Sequence, residues 1–312
     1  MTLKPVPYNQ PDASPTAAPS KTLWMAAIKP PMYSVAIMPI ALGTAIAAYQ
    51  TRQFSLSIFI TFLLSAILIL AWENFTNDVF DADTGIDHNK RHSLVNLTGN
   101  KPLIFWLGNL CLALGIGGIG AIALWQQSPM VLGLIGLCCV LGYLYQGPPF
   151  RLGYRGLGEV LCFFAFGPLA VEAAYYSQAQ AFSGVALVAS LILGVSTSLI
   201  LFCSHFHQVE DDQAAGKRSP IVRLGTHRSA QLLPWLCGSV LGLTLAGVAF
   251  GWFPLGVLLA IASAPTAIKL CRHVSTYHAQ ASRVSNCKFI AVSFHFWSGL
   301  LLCVGFLLGM PG

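Results

Sequence analysis

From residue 31 onward the chain alternates apolar runs of helical length with short polar interruptions. Crossing a hydrocarbon layer takes about 20 apolar residues in a helix, because that layer offers the backbone no other hydrogen-bond partner. Nine runs meet the demand: about 31–50, 54–75, 102–124, 129–146, 157–177, 182–204, 230–250, 252–271 and 289–310. The fourth is short. Only the tight turn from Gly251 to Pro254 parts the seventh from the eighth. The pattern predicts an all-α polytopic membrane protein with nine transmembrane helices in a single domain, residues 22–312. Residues 1–21 are rich in Pro, Ser and Ala and lack an apolar core, so a disordered tail is expected there.

Composition agrees. Only 9% of the 312 residues are charged, against about 25% in soluble domains. The chain cannot cover a water-facing surface, and no nucleic-acid partner is expected. Nine cysteines carry no CxxC spacing and lie mostly inside the apolar runs, which favours small buried thiols over disulfides or zinc. The run Gly115–Gly120 cannot be a dinucleotide loop, since no strand precedes it; close helix packing explains it.

Charge fixes the orientation. With nine spans, the N-terminal tail and the loops after spans two, four, six and eight share one side. Of the 17 basic residues, Arg52 alone falls on the other. The positive-inside rule makes the basic side cytoplasmic, in a bacterial inner membrane or a thylakoid. The acidic residues sort likewise, with Glu172 the exception.

Five of the 11 acidic residues, Glu73, Asp78, Asp81, Asp83 and Asp87, crowd the end of the second span. A second cluster, Glu210, Asp211 and Asp212, follows the sixth. Asp78 and Asp81 share a helix face, and Asn74 and Asn77 stack just before them. Like charges at a low-dielectric boundary repel unless a cation intervenes. Mg²⁺ takes such oxygen ligands, commonly one or two carboxylates completed by substrate phosphates. With basic residues on the same side, the pattern describes a Mg²⁺–diphosphate site at the membrane surface. An isoprenyl diphosphate fits: an anionic head for the rim and a hydrocarbon tail for the bilayer. An ion-coupled transporter is the alternative from another class, but its carboxylates belong near mid-membrane.

The stretch NFTNDVFDADTGID, Asn74–Asp87, resembles the first aspartate-rich motif of the UbiA superfamily of intramembrane prenyltransferases, in the form of its 1,4-dihydroxy-2-naphthoate branch. Tyr145–Leu169 is similar to that branch's loop between helices four and five. HFHQVEDDQAAGKRSPIVRLGT, His205–Thr226, resembles the second motif as found in cyanobacterial and plant phytyltransferases. The resemblance implies a nine-helix ring around a lipid-accessible central cavity. It also implies Mg²⁺-dependent transfer of a prenyl group, phytyl in this branch, from its diphosphate to dihydroxynaphthoate with loss of the carboxylate. Homogentisate, 4-hydroxybenzoate and chlorophyllide are the acceptors of sister branches.

Site roles follow. Asp78 and Asp81, with Asn77 and Asn74, are expected to hold one metal. Asp212, with Glu210 or Asp211, is expected to hold the other; many relatives carry an Asp where this chain has Gln208. Asp87 either joins the metal or orients Lys90 and Arg91. Lys90, Arg91, Arg151, Lys217 and Arg223 are candidates for the diphosphate, and Tyr145, Tyr154, Arg155 and His207 for the acceptor. His205 is read as a rim histidine satisfying a hydrogen bond.

Overall fold

The computed structural model describes residues 21–84, 86 and 93–310, apart from the Thr22 side chain. Among these no strand occurs. Eight helices are long and apolar enough to cross a membrane. They are α1 (Leu23–Thr51), α2 (Leu56–Thr84), α3 (Lys101–Gln126), α5 (Gly158–Ala179), α6 (Gly184–His207), α7 (Thr226–Ala249), α8 (Leu255–Tyr277) and α9 (Ala281–Leu308). A shorter apolar helix, α4 (Met130–Gln146), supplies the expected fourth element. Residues 1–20 lie outside the described residues, as do Asp87, Lys90 and Arg91.

Two boundaries differ from the hydropathy pattern, and both position the site. The second apolar run fades near residue 75, yet α2 continues for 29 residues to Thr84. At 1.5 Å per residue that is about 44 Å, longer than the ~30 Å of hydrocarbon. The last turns of α2 therefore carry Asp78 and Asp81 on regular helix at the rim. At the other end of the chain, α1 begins before the apolar run. It is broken at Lys29, whose φ of 53° ends one helical piece before the 3₁₀ turn Pro30–Tyr33.

The glycines of α3 do what their spacing implies. A side chain on Gly118 would strike the Ser65 hydroxyl at 2.2 Å, and one on Gly115 would meet Ile69 at 2.8 Å. These contacts let α3 lie along α2. The first half of the chain closes around Ile40, Phe62, Ile119, Ile122, Val131 and Ile135. A larger core joins α1 and α5 to α6, α7, α8 and α9 through residues such as Leu42, Leu193, Phe294 and Phe306. In α5 a π turn, Ala165–Leu169, accommodates Pro168, which cannot donate to the helix ladder. Leu64, Trp106, Leu124, Trp235 and Phe250 point outward and are exposed, as a lipid-facing surface requires. All nine cysteines are free thiols.

Candidate active site

Asp78 is fully buried on α2. One of its oxygens accepts from the backbone N–H of Leu94 at 2.8 Å, and the other stands 3.6 Å from the Lys29 ammonium. The break at Lys29 thus brings a cation from the start of α1 onto the first cluster. Asp81, one turn on, is buried and accepts from the Tyr154 hydroxyl at 2.9 Å. Burial and the Asp81 charge push the Tyr154 phenol up, so it keeps the proton it donates.

Tyr154 belongs to the loop between α4 and α5, and that loop is bound to the second cluster. The Tyr154 carbonyl accepts from the Arg218 N–H at 2.8 Å. Gly156, at φ +77°, passes so close that a side chain there would lie 2.4 Å from the Arg218 carbonyl. The Lys217 ammonium sits 5.6 Å above the Tyr154 ring and 3.5 Å from Asp212. Asp81, Tyr154, Lys217 and Asp212 therefore form one continuous chain across the rim.

Asp212 is as deeply buried as Asp78. His205 donates to it through Nδ1 at 2.9 Å, and the other His205 nitrogen lies 3.7 Å from Glu159. Burial alone would push the Asp212 carboxyl up. The His205 hydrogen bond and the Lys217 charge outweigh it and hold the group below the usual carboxylate range. The short helix Val209–Ala214 starts at Gln208, whose carbonyl accepts from the Asp212 N–H at 2.7 Å. Gln208 and Asp212 thus stand one turn apart on one face. Glu210 is exposed and Asp211 half-buried.

Inside the rim lies a cavity of about 140 Å³. Asn74, Asn77, Tyr145, Gln146 and Glu73 give it a polar lining, and α5 adds Leu161, Cys162 and Phe166. Asn77 Oδ1 and Gln146 Oε1 are buried with no hydrogen-bond partner among the described residues. An adjoining apolar cavity, lined by Ala36, Pro39, Ile40, Ile69, Ile135 and Ala170, continues toward the bilayer interior.

Several expected residues are not brought in. Arg223 is exposed and donates to the Arg155 carbonyl, and Arg155 is itself exposed. Asp83 pairs with Lys101 at the surface. Arg151 is half-buried, with its Nε lacking an acceptor among the described residues. His207 is half-buried beside the second cluster. Glu172 is buried and accepts from the Ser183 N–H at 3.4 Å, near the end of α5 remote from the rim. Lys29, Glu73 and Gln146 were missed as site residues; the Lys-Pro-Pro break at the mouth of the first span was the available signal for Lys29.

The model of the UbiA prenyltransferase family matches residues 36–308. The chain belongs to that family. A UbiA relative, the 2-carboxy-1,4-naphthoquinone phytyltransferase of Synechocystis sp., is 55% identical over 96% of this chain and 97% of its own length. The chloroplastic 2-carboxy-1,4-naphthoquinone phytyltransferase of Arabidopsis thaliana is 39% identical over 92% of this chain and 77% of that protein. Among solved UbiA folds, the Aeropyrum pernix K1 homolog superposes with a TM-score of 0.61 at 14% identity, covering 91% of this chain and 99% of that one. The Archaeoglobus fulgidus homolog bound to DMAPP and Mg²⁺ gives 0.56 at 16% identity over 90% and 99%. These distant structures establish the fold: a UbiA-type helical bundle around a central cavity. UbiA membership makes the chain an integral membrane prenyltransferase and removes the transporter reading.

No group of three or more His, Cys, Asp or Glu at metal-binding spacing occurs among the described residues. The donors present are nonetheless hard oxygens, and the buried Asn77 Oδ1 has no partner among the described residues. One or two carboxylates with open positions for phosphate oxygens is what Mg²⁺ commonly takes, so the residues fit.

Proposed function

We propose that this chain transfers a phytyl group from phytyl diphosphate to 1,4-dihydroxy-2-naphthoate with loss of CO₂, in the biosynthesis of phylloquinone or menaquinone. The reaction is Mg²⁺-dependent, and its rim faces the cytoplasmic side. The observation that carries the reading is Tyr154, joining Asp81 to Lys217 and Asp212 over a polar chamber that runs on into an apolar one. The names of the Synechocystis and Arabidopsis relatives support phytyl transfer to a 2-carboxylated naphthalene ring, and a Mycobacterium leprae relative named 1,4-dihydroxy-2-naphthoate octaprenyltransferase supports the dihydroxy form of that ring.

Asp78, Asp81 and Asn77 would hold one ion, Asp212 the other, with Asn74 near the first. Glu210, turned to solvent, and Asp211 are weaker candidates. Asp87, Lys90 and Arg91 keep their expected roles. Mg²⁺ held there would supply charge neutralisation for the departing diphosphate oxygen. Lys29 and Lys217 supply fixed positive charge to the same end of the substrate, and Arg151 Nε, without an acceptor among the described residues, can donate to it. The apolar cavity takes the hydrocarbon tail. Tyr145, Gln146 and Asn77 line the chamber left for the aromatic ring, which attacks the allylic carbon as the C–O bond to diphosphate breaks. The C–CO₂⁻ bond then breaks, and its electron pair restores the aromatic ring.

Purified protein in vesicles, supplied with phytyl diphosphate, Mg²⁺ and dihydroxynaphthoate, should release CO₂ and diphosphate in equal amounts with the prenylated product. Turnover of homogentisate or 4-hydroxybenzoate instead would overturn the acceptor.

A further inference from the structure

Glu73 takes no part in the mechanism above. It stands on α2 one turn before Asn77, with Ala66, Ile69 and Leu70 on its bilayer side. Its side chain lines both cavities, the polar chamber and the apolar one. The diphosphate end of the site begins at Asp78 and Asp81, the latter about 12 Å further along the helix. Glu73 therefore marks the floor of the polar chamber, where the hydrocarbon lining starts.

Two observations show that the position is built rather than incidental. First, no hydrogen bond or ion pair joins the Glu73 carboxyl to another of the described residues. A carboxyl facing an apolar wall without partners costs free energy, and the cost is recovered when something in the chamber hydrogen-bonds to it. Second, α4 leaves out a side chain to admit it. A Cβ on Gly142 would lie 2.0 Å from Glu73 Oε1 and 2.9 Å from its carboxyl carbon.

We propose that Glu73 accepts a hydrogen bond from a ring hydroxyl of the aromatic acceptor and so selects the hydroxylated ring and its orientation. The inference rests on the acceptor named under the proposed function. The hydroxyls are the hydrogen-bond donors of that acceptor, and a carboxyl keeps an acceptor oxygen in either protonation state.

The test is equilibrium binding without prenyl diphosphate, read by tryptophan fluorescence, since Trp72 precedes Glu73 and is buried. The ligands are 1,4-dihydroxy-2-naphthoate and 1-hydroxy-2-naphthoate, which lacks one hydroxyl. Wild type should prefer the dihydroxy ligand about tenfold. Glu73→Leu should reduce the preference to near unity. Glu73→Gln, whose amide oxygen still accepts, should keep most of it. Gly142→Ala, which displaces the carboxyl without removing it, should resemble Glu73→Leu. Far-UV circular dichroism and thermal melts of all three should overlay wild type, which verifies folding. An unchanged preference in Glu73→Leu, or no preference in wild type, overturns the inference. If wild type binds and prenylates a different phenol, the acceptor assignment fails separately. The same comparison, run with that phenol and its deoxy analogue, then decides the role of Glu73.

Discussion

The Tyr154 hydroxyl donates to Asp81 at 2.9 Å, so a loop residue 73 positions away holds the first acidic helix in place. Its ring meanwhile carries Lys217, 5.6 Å above the centroid. One tyrosine thereby sets the separation of the two acidic motifs, with its oxygen on one and its ring on the other.

Removing only the oxygen separates these functions. Tyr154→Phe keeps the surface beneath Lys217 and removes the hydrogen bond to Asp81. We expect kcat to fall about tenfold, the order of one hydrogen bond to a charged group. The Mg²⁺ concentration for half-maximal rate should shift as well. A rate-against-Mg²⁺ curve that overlays wild type would show that the contact is ornamental.

Asp78 has a structural duty besides its proposed metal role, because it accepts from the buried Leu94 N–H. Asp78→Ala leaves that donor unsatisfied and should cost about 1–3 kcal/mol of stability along with activity. Asp78→Asn retains an acceptor oxygen. It should melt close to wild type yet lose at least a hundredfold in turnover. Thermal melts and assays of the two variants, run together, distinguish metal binding from capping.

In the second cluster Asp212 faces inward and Glu210 faces solvent. Asp212→Asn should be the most damaging change there and should raise the Mg²⁺ requirement. Glu210→Gln should change the rate less than twofold. The reverse ranking would move the second metal to Glu210.

Lys29 and Asp78 lie 3.6 Å apart, with Lys29 still partly open to solvent. Lys29→Met should raise the KM for phytyl diphosphate about tenfold, while Lys29→Arg restores most of the affinity. An unaffected KM would confine Lys29 to stabilising the empty site.

Topology is testable at exposed positions. In a cysteine-free background, probes at Asn100 and Gln213 should label from the cytoplasmic side and one at Gln127 from the other. Labelling of Asn100 and Gln213 from opposite faces would break the shared rim.

Much of this was legible in the sequence, for local reasons. Apolar runs of helical length gave the elements, and the spacing of Asp78 and Asp81 gave a shared face. The four-residue step from Gln208 to Asp212 correctly anticipates one helical turn. What the sequence could not reveal depends on contacts across the fold. Lys29 reaches Asp78 over 49 positions only because the helix breaks beside two prolines. Arg223 looks like any other rim cation until its guanidinium is found on a backbone carbonyl facing outward. Glu73 reads as one more charge in a crowded run, since the glycine that admits it is on another helix. The length of α2 was hidden because hydropathy stops where the lipid does, while the helix is carried on by Leu94 and Tyr154 bonding to its carboxylates.

The 17 residues of α4 measure only about 26 Å along their axis, short of the ~30 Å hydrocarbon core. Lipid beside this wall must thin, or the helix ends must snorkel, to cover the deficit. The hydrophobic mismatch is therefore local to the helix that contributes Gly142, Tyr145 and Gln146 to the chamber. Bilayer thickness becomes a variable the enzyme senses, and turnover should fall as the acyl chains of the surrounding lipid lengthen.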